Sequence, residues 1–229
     1  MIREKVLFIA AHPDDEVLGA GGTIAKYADN GADVRLLIMT DGVSSQYRKE
    51  PRIQEIMENE KLCTRRSAGM LGISEVIFAG LPDMKLDQEA HIRINETIEN
   101  VIGDFQPDTV FTHFYGDVNI DHQRVFQSTL VACRPFPGSP VRELYSYSVP
   151  SSTEWNVQNA GRAFMPNVYV DIDGVYAEKK YAAMGCYPAE LREYPHPRSI
   201  EALKILDRAN GIRVGMKAAE CFMLHRWMK

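Results

Sequence analysis

The stretch Val6-Leu7-Phe8-Ile9-Ala10-Ala11-His12-Pro13-Asp14-Asp15-Glu16 sets the reading of the whole chain. Residues 6–11 form a short, unbroken apolar run. Such a run, without polar alternation, is the pattern of a strand buried on both faces. His12, Asp14, Asp15 and Glu16 then place ionisable side chains directly after that strand. In open α/β sheets, ligands bind in the crevice beyond the carboxyl ends of the strands. The stretch therefore reads as a central strand delivering chemistry at its end.

Working outward, strand-like and helix-like segments alternate. Residues 19–30 read as a helix, with Ile24, Tyr27 and Ala28 at helical spacing and Gly31 as the stop signal. Residues 34–40 read as a second buried strand, 52–71 as an amphipathic helix closed by Gly72, and 75–79 as a third strand. A helix over 88–103, a strand over 109–113, a helix over 121–133 and a strand over 143–149 continue the pattern. This alternation implies right-handed βαβ crossovers. The expected fold class is α/β, a Rossmann-like three-layer sandwich with a mostly parallel sheet of order 3-2-1-4-5 plus C-terminal additions. Beyond the turn-rich segment Arg134-Pro135-Phe136-Pro137-Gly138-Ser139-Pro140 the pattern loosens. A strand over 168–172 and helices over 176–184 and 199–210 are expected, while 219–224 fits either a helix or a strand. No linker stands out, so one domain over 1–229 is expected.

Composition excludes several functions. The chain has 229 residues, of which 45% are hydrophobic and 25% charged, with a formal charge of −5. That balance opposes general attraction to nucleic acid or anionic membrane. Cys63, Cys133, Cys186 and Cys221 are scattered, which argues against a disulfide framework or a thiolate zinc site. No apolar run is long enough for membrane insertion and no signal peptide is evident, so a cytoplasmic location is expected.

Two clusters carry the chemistry. In the first, His12 and Asp15 are three apart in a segment stiffened by Pro13. An imidazole nitrogen and a carboxylate oxygen at that spacing can converge on one cation, with zinc, iron or manganese all suited. The competing reading has Asp14, Asp15 and Glu16 capping the following helix, where carboxylates are favoured. The second cluster follows the fourth strand: His113, then Asp117, Asn119, Asp121 and His122. In a 3-2-1-4-5 sheet the first and fourth strands are neighbours, so His122 can add a third ligand. Two histidines and a carboxylate leave a coordination position open, as catalytic sites do.

H-P-D-D-E after strand one, with D-x-x-x-D-H after strand four, resembles the PIG-L/LmbE family of metal-dependent N-deacetylases. Thr40-Asp41-Gly42, Leu71-Gly72, Pro195-His196-Pro197-Arg198-Ser199 and Ala219-Glu220-x-Phe222 extend the similarity. The resemblance implies zinc held by His12, Asp15 and His122, with Asp14 as general base. It implies attack of a metal-activated water on an acetamide, releasing acetate from an N-acetylated sugar of the N-acetylglucosamine type. Asp121 is expected to orient a ligand. Homo-oligomeric assembly, common among such relatives, is also an expectation.

One departure stands out. Many relatives carry histidine three before the last ligand, where this chain has Asn119. An asparagine amide can donate to an oxyanion but cannot shuttle a proton. The acid role then falls to Asp14 or to another group such as His113 or His196. Asp41, Arg52, His113 and Arg198 are candidates for substrate contact. Gly19-x-Gly21-Gly22 does not spell a dinucleotide fingerprint and reads as close helix–sheet packing. A non-hydrolytic nucleotide- or sugar-binding protein is the alternative. Trp155 and Trp227 read as packing residues before sugar-stacking platforms.

Overall fold

Neighbouring residues of a strand point to opposite faces, and in the first strand both faces are core. The computed structural model describes residues 4–157 and 159–229. In it, β1 (Lys5–Ala10) sends Val6, Phe8 and Ala10 into one apolar cluster and Leu7 and Ile9 into another. β2 (Asp33–Thr40) divides likewise, Val34, Leu36 and Ile38 against Leu37 and Met39. The unbroken apolar run is the consequence of this double burial.

Five further strands complete one sheet: β3 (Glu75–Leu81), β4 (Thr109–His113), β5 (Glu143–Tyr147), β6 (Val168–Asp171) and β7 (Ala219–Trp227). The order is β3-β2-β1-β4-β5-β7-β6. The first five strands are parallel, in the expected 3-2-1-4-5 arrangement. β7 runs antiparallel between β5 and β6, which settles the ambiguous last segment as a strand. Helices α1 (Asp15–Asp29), α2 (Ile53–Leu71), α5 (Val175–Met184) and α6 (Ile200–Ile212) contribute Leu18, Leu71, Met184 and Leu203 to the first cluster. Helices α3 (His91–Phe105) and α4 (Ile120–Ala132) contribute Ile94, Ile98 and Val125 to the second. The result is three layers. Phe111 on β4 stacks on Phe8 at 4.5 Å and Tyr145 at 4.8 Å. Truncating so buried a ring to alanine typically costs about 3–5 kcal/mol.

Some boundaries differ from the sequence expectation. Helix α1 starts at Asp15, not at residue 19, because the Asp14 carbonyl already accepts from Val17 and Leu18 amides at 3.0 and 2.9 Å. Asp15 and Glu16 occupy its first turn, where the helix dipole favours acids. The glycines therefore lie inside the helix. A Cβ at Gly19 would collide with the Tyr147 ring, and one at Gly22 would lie 2.8 Å from Ile172 Cγ2. These glycines let α1 approach its neighbours, and the Gly22 amide is committed to Glu220 at 3.0 Å. The arrangement is not that of a phosphate loop, whose glycines sit in the strand-to-helix turn.

β3 runs two residues past its expected end, to Leu81, through Gly80 at φ 66° and a register irregularity against β2. Neither tryptophan is a core residue, since Trp155 and Trp227 are each 57% exposed.

Candidate metal centre and active site

The ionisable residues stand where the parallel strands end. His12, Asp14 and Asp15 follow β1, Asp83 follows β3, and Asp117 to His122 follow β4. His12 Nδ1 lies 3.2 Å from Asp15 Oδ2 and 3.2 Å from His122 Nε2. His122 Nε2 lies 3.3 Å from Asp15 Oδ2, closing a near-equilateral triangle. A tetrahedral zinc with bonds of about 2.0–2.1 Å has ligand–ligand edges of about 3.3–3.4 Å. The donor chemistry and the triangle both fit such an ion.

The outer nitrogens of both rings face carboxylates. His12 Nε2 is 3.3 Å from Asp83 Oδ1 and 3.3 Å from Asp121 Oδ2. His122 Nδ1 is 3.1 Å from Asp117 Oδ2. Such partners fix the tautomer that leaves the inner nitrogens free to bind a metal. Asp121 is itself held by the Met84 amide at 2.8 Å and the Leu86 amide at 3.0 Å. His12, Asp83 and Asp121 form a second close set of donor atoms. With its oxygens engaged by these amides, Asp121 is better suited to orienting His12 than to ligating.

The electrostatics call for positive charge. Burial alone would lower the pKa of His12, but Asp121 and Asp15 outweigh it and hold it well above the imidazole range. Burial also opposes charge on His122, yet Asp15 and Asp117 push it up to about 9. Burial works against ionised Asp15, while the charge of His122 and the hydrogen bonds from His12 and His122 hold it well below the carboxylate range. A divalent cation would supply, in one ion, the charge that these carboxylates favour on the histidines.

Asp14 is 2% exposed and adopts φ 92°, in the left-handed region. For a residue with a Cβ this stores roughly 1–3 kcal/mol of strain, of the kind found at functional sites. Burial raises its pKa well above the usual carboxylate range, against the pull of Arg198. Arg198 Nη1 lies 3.4 Å from Asp14 Oδ2 and pairs with Glu190, while Nε donates to Ser151 Oγ at 2.7 Å. Gly42 packs against Pro13 where any Cβ would collide, and its φ of 70° also favours glycine.

The other expected site residues take varied places. Asn119 caps α4, its Oδ1 accepting the Asp121 amide at 2.9 Å while Nδ2 lies 3.6 Å from Met84 Sδ. Asp41 closes a turn, accepting from the Val43 and Ser44 amides at 3.0 and 2.8 Å. Arg52 is the exposed N-cap residue of α2. His196 Nδ1 accepts the Arg198 amide at 3.1 Å, and its ring meets the edge of Trp155 at 5.8 Å. His113 differs from expectation: it is fully buried behind the triangle, stacked on His122, and cannot meet a substrate.

Two contributors lie outside the sequence expectation: Asp83 and Glu190. Asp83 follows a strand, so the strand-end rule reaches it once β3 is carried to Leu81. Glu190 meets Arg198 only through folding, and no local pattern marks it. A cavity of about 520 Å³ has Thr153, Pro195, Lys180 and Asp207 among its lining residues and none of the triangle residues.

Comparison with known proteins gives consistent matches. The PIG-L family, described as GlcNAc-PI de-N-acetylase, matches residues 7–133. "Uncharacterized deacetylase YaiS" of Escherichia coli is 30% identical over 190 residues, covering 80% of this chain and 89% of that protein. Diacetylchitobiose deacetylase of Thermococcus kodakarensis is 28% identical, covering 83% and 71%. The 4-oxalmesaconate hydratase of Pseudomonas putida is 27% identical, covering 84% and 77%. In fold, the N,N'-diacetylchitobiose deacetylase of Pyrococcus horikoshii superposes with a TM-score of 0.77 at 22% identity, covering 97% of this chain and 84% of that one. A family match running from β1 through α4, and a 30% identical relative aligned over most of both chains, make this protein a member of the PIG-L family.

Proposed function

We propose that this protein is a zinc-dependent hydrolase that removes acetyl from an N-acetylated sugar or sugar conjugate. The observation that carries the reading is the triangle of His12 Nδ1, Asp15 Oδ2 and His122 Nε2, beside a buried Asp14 that faces Arg198. His12, Asp15 and His122 would hold the ion, with Fe²⁺ or Mn²⁺ as chemically acceptable substitutes. When bound, the metal supplies Lewis acidity, acidifying a water and polarising an acetamide carbonyl. Asp14 takes a proton from the attacking water as general base and returns it to the departing amine. One C–O bond forms, the C–N bond breaks, and acetate and a free amine leave. Arg198, braced by Ser151 and Glu190, keeps Asp14 in place. Asn119 Nδ2 is assigned to the carbonyl oxygen as negative charge develops there. Asp121 orients His12. His196, Asp41 and Arg52 are assigned to the substrate side of the site.

The diacetylchitobiose deacetylase among the relatives supports a sugar amide as substrate. A second reading, water addition to a double bond, is favoured by the hydratase among them. The test is a screen of N-acetylated sugars, nucleotide sugars and glucosaminide conjugates for acetate release, with and without zinc. Zinc-dependent acetate release supports the deacetylase. Water uptake by an unsaturated acid with no acetate from any amide replaces it with the hydratase. Cytoplasmic location, one domain over the chain and homo-oligomeric assembly belong to the same proposal; cell fractionation, limited proteolysis and light scattering test them.

A further inference from the structure

His113, at the end of β4, lies beneath the metal centre, and the chemistry proposed above leaves it unused. It is 0% exposed. Its Nε2 accepts the Ala11 backbone N–H at 2.7 Å, so that nitrogen carries no proton and the ring is neutral. Tyr147, 3.5 Å away, gives its own proton to the Ile9 carbonyl at 2.8 Å. The remaining nitrogen, Nδ1, must then hold the proton, yet it is buried with no hydrogen-bond partner among the described residues. An unmet buried donor costs stability. A phenyl ring would fill the same space and remove that donor but would leave the Ala11 N–H without its acceptor, so volume alone does not explain an imidazole here.

Two contacts do explain it. The in-plane lone pair of Nε2 fixes the amide immediately before His12. The flat face of the ring stacks on His122, with centroids 3.9 Å apart and planes 15° from parallel. One rigid side chain therefore touches both segments that carry the metal-binding imidazoles. We propose that His113 is a positioning residue of the metal centre: a neutral imidazole that sets the direction of His12 through Ala11 and the plane of His122 by stacking. This rests on the reading that His12, Asp15 and His122 hold the metal.

The test compares wild type with His113→Phe, which keeps a flat ring and loses the acceptor, and His113→Gln, which keeps an acceptor and loses the ring. Zinc affinity is read by chelator competition, ligand geometry from the visible bands of the cobalt(II) form, and folding from metal-free melting. His113→Phe is expected to bind zinc roughly 10- to 100-fold more weakly with shifted cobalt bands, and His113→Gln to recover part of the affinity. If His113→Phe does not fold, His113→Gln still carries the test, and wild-type affinity with unshifted bands overturns the proposal. Lower metal-free stability in either folded variant, with unchanged zinc affinity and cobalt bands, also overturns it, leaving a packing role alone. A wild-type protein that binds no metal overturns the underlying reading as well, and is distinguishable from either result.

Discussion

Replacing Asp117 with asparagine isolates what an outer carboxylate does for this centre. Asp117 is 1% exposed. Its Oδ1 accepts the Asn119 amide at 2.8 Å and the Ser152 hydroxyl. Its Oδ2 accepts the Thr153 hydroxyl at 2.6 Å and faces His122 Nδ1 at 3.1 Å. Asparagine has the same shape but turns one acceptor into an NH₂ donor. Pointed at His122, the NH₂ opposes an N–H there; pointed the other way, it opposes the Asn119 N–H. Either orientation leaves a buried donor without its acceptor, a cost of about 1–3 kcal/mol. With the NH₂ towards His122, the ring is also free to change tautomer and aim a proton at the metal position. Loss of such a partner typically weakens metal binding roughly 10- to 100-fold, or about 1.4–2.7 kcal/mol. Chelator competition at fixed pH measures the affinity, and a metal-free melt shows that the variant is folded. Zinc affinity within about twofold of wild type, in a folded variant, would refute the role given to Asp117.

Other substitutions separate the remaining roles. Asp14→Asn should retain zinc and lose roughly 10²–10⁴-fold in turnover; full activity would remove Asp14 as the base. Asn119→Ala should lower turnover by roughly 10²-fold or more and, through the lost helix cap, stability by about 1 kcal/mol. A fall in melting temperature with unchanged turnover would leave Asn119 as a cap only. Lys180, 2% exposed, is bound by Asp207 at 2.8 Å and Glu220 at 2.9 Å. Lys180→Met strands two buried carboxylates, which should cost about 3–5 kcal/mol and lower the melting temperature by roughly 6–20 °C. Burial opposes charge on Lys180, but Asp207 and Glu220 raise its pKa above the unfolded value. Its stabilisation is therefore fully present below the unfolded lysine pKa and fades only as pH rises through the higher folded value. A melting temperature for Lys180→Met equal to wild type at neutral pH would contradict this.

Much of the site was legible because its central residues are local to strand ends. A buried strand followed by His12-Pro13-Asp14-Asp15 and a second cluster after the neighbouring strand needed only the switch-point rule to bring them together. Asp83 obeys the same rule, but the sequence pattern ends β3 at residue 79. The left-handed Gly80 and the irregular pairing with β2 carry the strand on to Leu81, so Asp83 stands at its end and not in a distant loop. Helix α1 begins four residues before the expected position 19, because the Asp14 carbonyl opens it and the acids of the metal-binding stretch, Asp15 and Glu16, also fill its first turn. The hold of Arg198 and Glu190 on Asp14 joins opposite ends of the chain, and no local spacing encodes it. His113 is expected to face the substrate, but as the last residue of a strand buried on both faces it is fully enclosed and stacked on His122. For residues 219–224, pairing with β5 and β6 decided what periodicity could not.

The most direct test of the central claim is a zinc titration of metal-stripped protein with acetate release as the readout, using an N-acetylated sugar identified by the screen. The expected result is negligible release without metal, then a rise that saturates at about one zinc per chain and is abolished in His12→Ala and His122→Ala. Equal acetate release from the metal-free protein, or from those two variants, would contradict a metal centre built on His12, Asp15 and His122.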